Sequence, residues 1–225
     1  MNTQLKRATI NCYYNDNAIY NFIKDNISLC KETVLDVGCG KMKYKKLFTD
    51  AGKKYIGLDL EEGKFTYSVN ADLYWDGNII PLSENSVDTV LITEVLEHCE
   101  DPTIAVNEAF RVLKKDGTIL ITIPFIYQLH GTPYDFHRMT PYTVEKLLSK
   151  FSNIKIQPSG SWDASLAQMI GIWIAHRPMP LSIKRILRIP SILLFRLLLW
   201  MDKKSKYTTI QENFIMPGLL ITAQK

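Results

Sequence analysis

The chain has 225 residues, of which 46% are hydrophobic and 22% are charged, and its formal net charge is +4. This length and composition can bury a substantial core, which suggests one domain with an elaboration. The four cysteines are dispersed, lack C-x-x-C spacing and follow an amino terminus without a signal-peptide pattern, so we expect a reduced, cytoplasmic setting. The positive charge is uneven, because residues 160–225 hold 9 Lys or Arg against 3 Asp or Glu.

Residues 1–32 are predicted as an amino-terminal helical segment. Apolar residues recur there at helical spacing behind a cap at Asn15 to Asn17.

A glycine turn joins a short apolar strand to a helix-prone stretch within Thr33–Lys41, TVLDVGCGK. Glycines suit such a turn because the backbone must bend sharply and approach a ligand closely, while the helix offers unpaired N–H groups. The next predicted strand ends in Asp59, at the distance expected of a βαβ unit whose acid holds a ribose. A dinucleotide fingerprint would need a third glycine at Lys43 and fails there, whereas Asp36 stands two residues before the first glycine.

This D-x-G-x-G loop resembles that of class I S-adenosylmethionine-dependent methyltransferases, in the methyltransferase type 11-like family. The resemblance implies S-adenosyl-L-methionine as the cofactor, with the loop around its methionine portion. It assigns Asp36, Gly38 and Gly40 to that portion, where the acid helps balance the ammonium and sulfonium charges, and Asp59 to the ribose. Met42 stands where the family often has another glycine.

An irregular stretch follows Asp59, and residues 67–70 are predicted as a third strand. Asp72 and Leu73 come directly after it and resemble the family position that contacts adenine. Asp72 could accept a hydrogen bond from the exocyclic amine while Leu73 or Trp75 packs on the ring. Alternatively, Asp72 only caps a turn.

Residues 87–92 are predicted as a fourth buried strand, and Glu94 and His98 follow it, where open parallel sheets place functional groups. The Leu-Glu-His segment here resembles one large methyltransferase subgroup. Glu94, directly after the strand, is a further candidate cofactor contact.

Pro102 begins a predicted helix that runs to about Lys115, and residues 118–123 form a predicted fifth strand. The R-V-L-K-K-D-G segment between them also resembles that subgroup, with Asp116 at its usual first glycine. The combined resemblance covers residues 33–124.

The loop 125–139 precedes a helix that begins at Thr140-Pro141, so it should lie above the carboxyl edge of the sheet, where an acceptor would bind. Methyl transfer to a hydroxyl or an amine needs an aligned nucleophile and a base, and histidine is the usual base. Asp135 could orient a histidine or hold a sugar hydroxyl, and Arg138 could bind an anionic group or pair with Asp135. The candidate catalytic residues are His98, His130, Asp135, His137 and Arg138.

The spacing of Pro133, Asp135, Arg138 and Thr140 resembles methyltransferases encoded with surface-glycan biosynthesis. For the acceptor we therefore expect a small molecule, a sugar or a lipid-linked compound, methylated at oxygen. We expect no nucleic acid, because neither an N-P-P-Y motif nor a Pro-Cys nucleophile follows the fourth strand.

Glu94, Glu97 and His98 are spaced at i, i+3 and i+4, so one helical turn could gather them on one face. This spacing resembles the divalent-metal site of small-RNA 2′-O-methyltransferases and of some ubiquinone-pathway O-methyltransferases, in which a later histidine, here His130 or His137, completes the set. Because many relatives with only the Glu-His pair have no known metal, we predict no metal and keep a magnesium site as the alternative.

Residues 153–157 and 219–223 are predicted as the last two strands, of which the final one would insert antiparallel to the others. The apolar, basic stretch between them, residues 160–212, is too short in each apolar run and too interrupted by proline to cross a bilayer. It could form a substrate lid or the face of a homodimer. Alternatively, residues 181–206 could contact the inner face of a membrane peripherally, with basic groups toward lipid phosphates.

We therefore predict an α/β chain with a Rossmann-like, doubly wound, seven-stranded sheet that is mostly parallel. Its predicted parts are the helical segment 1–32, the cofactor-binding core 33–159, the helical insertion 160–212 and the final strand 213–225. The predicted function is S-adenosylmethionine-dependent methyl transfer. The alternatives are a catalytically silent cofactor-binding subunit that activates a partner enzyme and, more distantly, a nicotinamide oxidoreductase.

Overall fold

The computed structural model describes residues 10–60, 70–205, 209–212 and 214–225. In chain order its helices and strands are α1 (Ile10–Asp25), β1 (Thr33–Val37), α2 (Lys45–Asp50), β2 (Lys54–Leu60), β3 (Leu73–Trp75), β4 (Val87–Thr93), α3 (Pro102–Val112), β5 (Leu113–Pro124), α4 (Pro141–Leu147), β6 (Ser152–Pro158), α5 (Trp162–His176), α6 (Leu181–Lys204) and β7 (Gly218–Gln224).

A seven-stranded sheet with the order β3-β2-β1-β4-β5-β7-β6 forms the centre of the fold. The strands from β3 to β5 in this order pair in parallel, whereas β7 runs antiparallel to both of its neighbours, β5 and β6. This topology confirms the predicted seven-stranded sheet with an antiparallel last strand. Because β2, β1 and β4 are parallel neighbours, the loops that follow them meet at one edge of the sheet.

Helices cover both faces of the sheet, which explains why the central strands are apolar along almost their whole length. On one face, α3 buries Ala105, Val106, Ala109 and Val112, which recur at helical spacing. On the other face, α1 and α2 contribute Ile19, Phe22, Ile23 and Phe48 to a second cluster with β1 and β4. Two apolar layers therefore hold the strand ends in fixed positions.

The start of α3 follows the predicted signals, and its end does not. The Asp101 side chain accepts a hydrogen bond from the Thr103 N–H at 2.9 Å, and Pro102 occupies the first turn. The helix ends at Val112 rather than near Lys115, because Leu113 already has an extended backbone and pairs with Val87 of β4. Sheet pairing thus overrides the helix propensity of the basic residues that follow.

The third strand also differs from its predicted position. The predicted strand, residues 67–70, lies outside the described residues except for Asn70. The strand that pairs with β2 is Leu73–Trp75, in register with Leu58 to Leu60. Asp72 therefore precedes β3, and Asp76 is the acid that follows it.

Helices α5 and α6 lie between β6 and β7 in the chain and pack on each other and on α1. Asp202 of α6 accepts hydrogen bonds from the Ser161 N–H at 2.7 Å and from the Ser161 hydroxyl at 2.6 Å. The Tyr14 hydroxyl of α1 donates to the other Asp202 oxygen at 3.1 Å and to the Ser159 carbonyl at 2.8 Å. Among the described residues, no helix combines the length and the apolar character that a membrane span requires.

Candidate functional site

The loop after β1 turns sharply through two glycines with left-handed backbones, Gly38 (φ 72°) and Gly40 (φ 51°). A Cβ atom at Gly38 would lie 2.3 Å from a methyl carbon of Val95, whereas a Cβ atom at Gly40 would meet nothing described within 4 Å. The Gly38 and Cys39 N–H groups donate to the Leu58 carbonyl at 2.8 and 3.1 Å, which ties the turn to β2. Gly38 is therefore needed both for its conformation and for close packing.

Asp59 lies at the end of β2 and is 4% exposed. Its Oδ2 atom accepts the Gly40 N–H at 2.8 Å, and its Oδ1 atom accepts the Leu60 N–H at 2.8 Å. Each carboxylate oxygen has a further lone pair that can accept from a ligand. The geometry is suited to a pair of ribose hydroxyls.

Asp36 lies beneath the loop, buried, and the Tyr55 hydroxyl donates to its Oδ2 atom. Its Oδ1 atom has no hydrogen-bond partner among the described residues. Burial raises the pKa of Asp36 to about 7, although the Tyr55 hydrogen bond and the Lys43 charge act in the opposite direction. An orphaned buried carboxylate beside the turn fits a cationic ligand, because a nearby positive charge would stabilise its ionised form.

A cavity of about 850 Å³ opens at this edge of the sheet. Five of the predicted site residues line it: Gly38, Asp59, Glu94, His98 and His130. Several other lining residues were not predicted from the sequence, namely Asp76, Asn78, Cys99, Tyr134 and Phe136. Asp76 directly follows β3. Because the third strand was predicted at residues 67–70, Asp72 and not Asp76 was expected at its end.

Asp72 and Leu73 do not appear among the residues that line the cavity. The Asp72 Oδ2 atom accepts the Gly57 N–H at 2.8 Å, and Oδ1 lies 3.6 Å from the Lys45 ammonium, so this side chain fastens the amino end of β3 to β2. At the other end of β3, the N–H groups of Ile79 and Asn78 lower the pKa of Asp76 to about 2. Asp76 thus presents a stable negative charge at the cavity wall.

Glu94 follows β4 in a left-handed conformation (φ 53°) that turns the chain toward the cavity. The Asn15 amide of α1 donates to one carboxylate oxygen at 2.8 Å, and the Thr122 hydroxyl of β5 donates to the other at 2.9 Å. Burial raises the pKa of Glu94 against the effect of these hydrogen bonds. Helix α1 therefore takes part in the site through Asn15.

Three side chains meet at the cavity: His98 and His130 line it, and Glu97 lies behind them. Glu97 is fully buried, and its Oε1 atom lies 3.7 Å from Nε2 of each histidine. The two imidazole rings meet edge to face with centroids 4.6 Å apart. Burial, reinforced by the charge of Glu94, raises the pKa of Glu97 well above its usual range.

Asp135 and Arg138 fasten the loop that carries His130. Two Arg138 nitrogens donate to the Asp135 carboxylate at 2.6 and 2.9 Å, and the same carboxylate accepts the His130 N–H at 2.9 Å. Arg138 also donates to the carbonyls of Gln128 and His137. Against the raising effect of partial burial, the Arg138 hydrogen bonds lower the pKa of Asp135 to about 2. Of the two roles considered for Arg138, this geometry agrees with the second, in which Arg138 pairs with Asp135 and holds the loop in place.

His137 is turned away from the histidine pair. Its Nε2 atom lies 3.2 Å from the Glu100 carbonyl, and its N–H donates to the Glu97 carbonyl at 3.2 Å. The structure thus brings His98 and His130 together, and leaves His137, Asp135 and Arg138 outside the cavity lining.

The strand order, the antiparallel β7, the D-x-G-x-G turn after β1 and the acid after β2 define the fold as the Rossmann-like fold of class I methyltransferases. A family described as a methyltransferase domain matches residues 35–121. Over this segment the chain is similar to S-adenosylmethionine-dependent methyltransferases, which confirms the resemblance derived from the loop and strand ends.

Two curated relatives match part of the chain. A probable S-adenosylmethionine-dependent methyltransferase of Mycolicibacterium smegmatis is 35% identical over 97 residues, which cover 40% of this chain and 37% of the relative. A malonyl-[acyl-carrier protein] O-methyltransferase of Yersinia pestis is 36% identical over 94 residues, 40% of this chain and 35% of the relative. The chain therefore spans well under half the length of these relatives.

Solved structures match over nearly the whole chain. A SAM-dependent methyltransferase from Archaeoglobus fulgidus superposes with a TM-score of 0.57 at 19% identity and covers 93% of this chain and 94% of its own. The [4+2]-cyclase SpnF has the same TM-score, 0.57, at 17% identity, with 90% and 79% covered. At these identities the likeness establishes the fold alone, and a cyclase among the neighbours means that the reaction must be argued from the site.

Proposed function

We propose that this chain binds S-adenosylmethionine and transfers its methyl group to an oxygen of a small-molecule, sugar or lipid-linked acceptor. The observation that carries this proposal is one cavity that Gly38, Asp59, His98 and His130 all line. Gly38 and Asp59 have the features of a nucleoside site, and His98 and His130 form a pair of adjacent imidazoles.

For the cofactor, each contact follows from a group already described. Asp59 would accept hydrogen bonds from the ribose hydroxyls, and the Gly38 turn would lie against the methionine portion because it has no Cβ. Asp76 is ionised and lies at the cavity wall after β3, so it is suited to accept from the adenine amine. Glu94 is held in place from both sides and would fix the amino group of the ligand.

When bound, the cofactor supplies a methyl group on a positively charged sulfur. Transfer breaks the carbon–sulfur bond, leaves its electron pair on sulfur, and forms a carbon–oxygen bond to the acceptor. The acceptor hydroxyl must also lose a proton, and the group of Glu97, His98 and His130 is the basic cluster at the cavity. The Asp135–Arg138 pair keeps His130 facing His98.

Oxygen is favoured as the accepting atom because a neutral hydroxyl needs help with its proton, which this basic cluster offers. The relatives support the reaction class without fixing the substrate. One is named as an O-methyltransferase of a malonyl-carrier protein, and a solved neighbour is named as a phosphoethanolamine N-methyltransferase of Haemonchus contortus (TM-score 0.55, 17% identity, covering 93% of this chain and 53% of its own).

We also propose that α6 lies on an anionic lipid surface. Its apolar side chains form one exposed stripe at helical spacing, opposite the buried face that packs on α5. Exposed basic side chains flank the stripe, so its charge complements acidic lipid headgroups. The stripe consists of Ile183, Ile186, Leu193, Leu197 and Trp200, and the flanking basic residues are Arg185, Arg196 and Lys203.

The proposed reaction is tested with methyl-labelled S-adenosylmethionine and extracts that contain glycans and lipids. We expect label to enter an extract component with purified protein and to be lost with Asp59→Asn. Tight binding of S-adenosylhomocysteine without transfer to any extract would instead favour the silent cofactor-binding subunit.

A further inference from the structure

The buried carboxylate of Glu97 lacks the donors that a buried charge requires. Both of its oxygens are inaccessible to solvent and have no hydrogen-bond partner among the described residues. The nearest nitrogens are Nε2 of His98 and Nε2 of His130, each 3.7 Å from Oε1, which is beyond hydrogen-bond distance. An uncompensated buried carboxylate of this kind is costly, so something should satisfy it.

In His98 and His130, the hydrogen-bond partner of Nδ1 determines whether Nε2 carries a proton or a lone pair. Nδ1 of His98 contacts the Tyr134 carbonyl, and Nδ1 of His130 lies 3.3 Å from the Gln128 carbonyl. A carbonyl only accepts hydrogen bonds, so each Nδ1 carries the proton, and each neutral ring presents a lone pair at Nε2. Three potential metal-ligand atoms thus converge, namely two imidazole nitrogens with lone pairs and one carboxylate oxygen.

We propose that Glu97, His98 and His130 bind a divalent transition-metal ion. Their ligand atoms lie within 4.8 Å of one another, and both histidines border the cavity, so positions on the ion would remain open to a ligand. Two imidazoles and one carboxylate suit zinc, iron, manganese or cobalt rather than magnesium, which prefers oxygen ligands. Outer contacts of Nδ1 to carbonyl groups are the usual way in which metal-binding histidines are oriented.

This ligand set differs from the i, i+3, i+4 trio that the sequence offered. Leu96–His98 forms one turn of 3-10 helix, and Glu94 lies before it in a left-handed conformation. Glu94 is not among the side chains whose ligand atoms converge, and its oxygens accept hydrogen bonds from Asn15 and Thr122. His130 replaces it from the far loop, where Gly131 allows close approach, since a Cβ atom there would lie 3.0 Å from the His98 ring.

The consequence for the reaction rests on the proposed methyl transfer. An acceptor with a hydroxyl could place its oxygen on an open position of the ion, which would make that hydroxyl more acidic. The cluster would then promote loss of the hydroxyl proton through the bound ion, and the proton would pass to water in the cavity instead of directly to an imidazole. The substrate class is thus an acceptor with an oxygen that can bind a metal.

The test is a titration of chelator-treated protein with CoCl₂, followed by visible absorption, and with ZnCl₂, followed by calorimetry. We expect one tight equivalent of each ion, and at least about 100-fold weaker binding in Glu97→Gln and in His130→Ala. His176→Ala removes a histidine of α5 outside the cluster and should bind the ions as the wild type does. No stoichiometric binding, or equal binding in all variants, would overturn the site.

A measurement on the wild type covers the case in which the variants fold poorly. Zinc should shift the ring nitrogen resonances of two of the four histidines in a ¹⁵N-histidine spectrum. If zinc leaves all of these resonances unchanged, the site is rejected. Binding of S-adenosylhomocysteine is measured in a separate titration. Cofactor binding without metal binding would remove only the metal proposal, and metal binding without cofactor binding would remove only the proposed methyl transfer.

Discussion

Replacement of Gly38 by alanine should destabilise the chain through two separable effects. A left-handed backbone costs a residue with a Cβ about 1–2 kcal/mol. The new Cβ atom would also lie 2.3 Å from Cγ2 of Val95, and overpacking of this kind costs about 1–3 kcal/mol. We therefore expect Gly38→Ala to lower the free energy of unfolding by about 2–5 kcal/mol.

Gly40 provides a matched control, because its backbone is also left-handed (φ 51°) but its Cβ position is open. Gly40→Ala should lower the free energy of unfolding by about 1–2 kcal/mol, the backbone cost alone. Val95→Ala removes the two methyl groups that meet the new Cβ, so in that background Gly38→Ala should also cost only about 1–2 kcal/mol.

Urea unfolding of the wild type, the single variants and the Gly38→Ala/Val95→Ala double variant measures these differences. We expect a coupling free energy of about 1–3 kcal/mol between positions 38 and 95. If Gly38→Ala costs no more than Gly40→Ala, the close packing of the turn on Val95 is incorrect.

Three further predictions address the ligand, the buried acid and the surface. Calorimetry should show that Asp59→Asn weakens S-adenosylhomocysteine binding by about 10- to 100-fold, because the ribose would lose a charged acceptor. Asp72→Asn, the control, should change the affinity by less than about threefold. Equal effects of the two substitutions would reject the assignment of the ribose contact to Asp59. The pKa of Asp36 is raised to about 7, above an unfolded value of about 3.9, so wild-type stability should fall as pH rises from about 4 to about 7. Asp36→Asn should therefore be more stable than the wild type at pH 8, on the order of 2–4 kcal/mol, and equally stable below pH 4, as measured by urea unfolding; a pH-independent difference would contradict the raised pKa. In a flotation assay at low salt, the protein should bind vesicles that contain acidic lipid. The bound fraction should fall at high salt, and it should also fall with Leu197→Glu, because this change places a charge in the apolar stripe. Binding that does not depend on lipid charge, or a dimer that Leu197→Glu dissociates, would favour a protein interface.

The strand ends could be predicted because the signals are local. Asp36, Asp59 and Glu94 each follow or close an apolar run at a recognisable spacing, and the sheet brings these ends together by topology alone. The helix starts at Pro102 and Pro141 were likewise predictable, since a capping side chain and a proline act within one turn.

The parts that could not be predicted depend on contacts between distant residues. Leu113 belongs to a strand because it pairs with Val87, and no feature of the nearby sequence indicates this. Asp72 and Asp76 are equally plausible acids until the register of β3 against β2 is known. His98 and His130 meet only because the loop after β5 folds back over the turn after β4, where Asp135 and Arg138 fasten it.

Calorimetric titration of the wild type with S-adenosylhomocysteine, run beside NADH, tests the proposed cofactor site most directly. We predict one micromolar site for S-adenosylhomocysteine and no heat from NADH, because the turn at Gly38 and the acid at Asp59 form a nucleoside site without a dinucleotide fingerprint. Binding of NADH in its place, or binding of neither compound, would contradict the proposed methyl transfer.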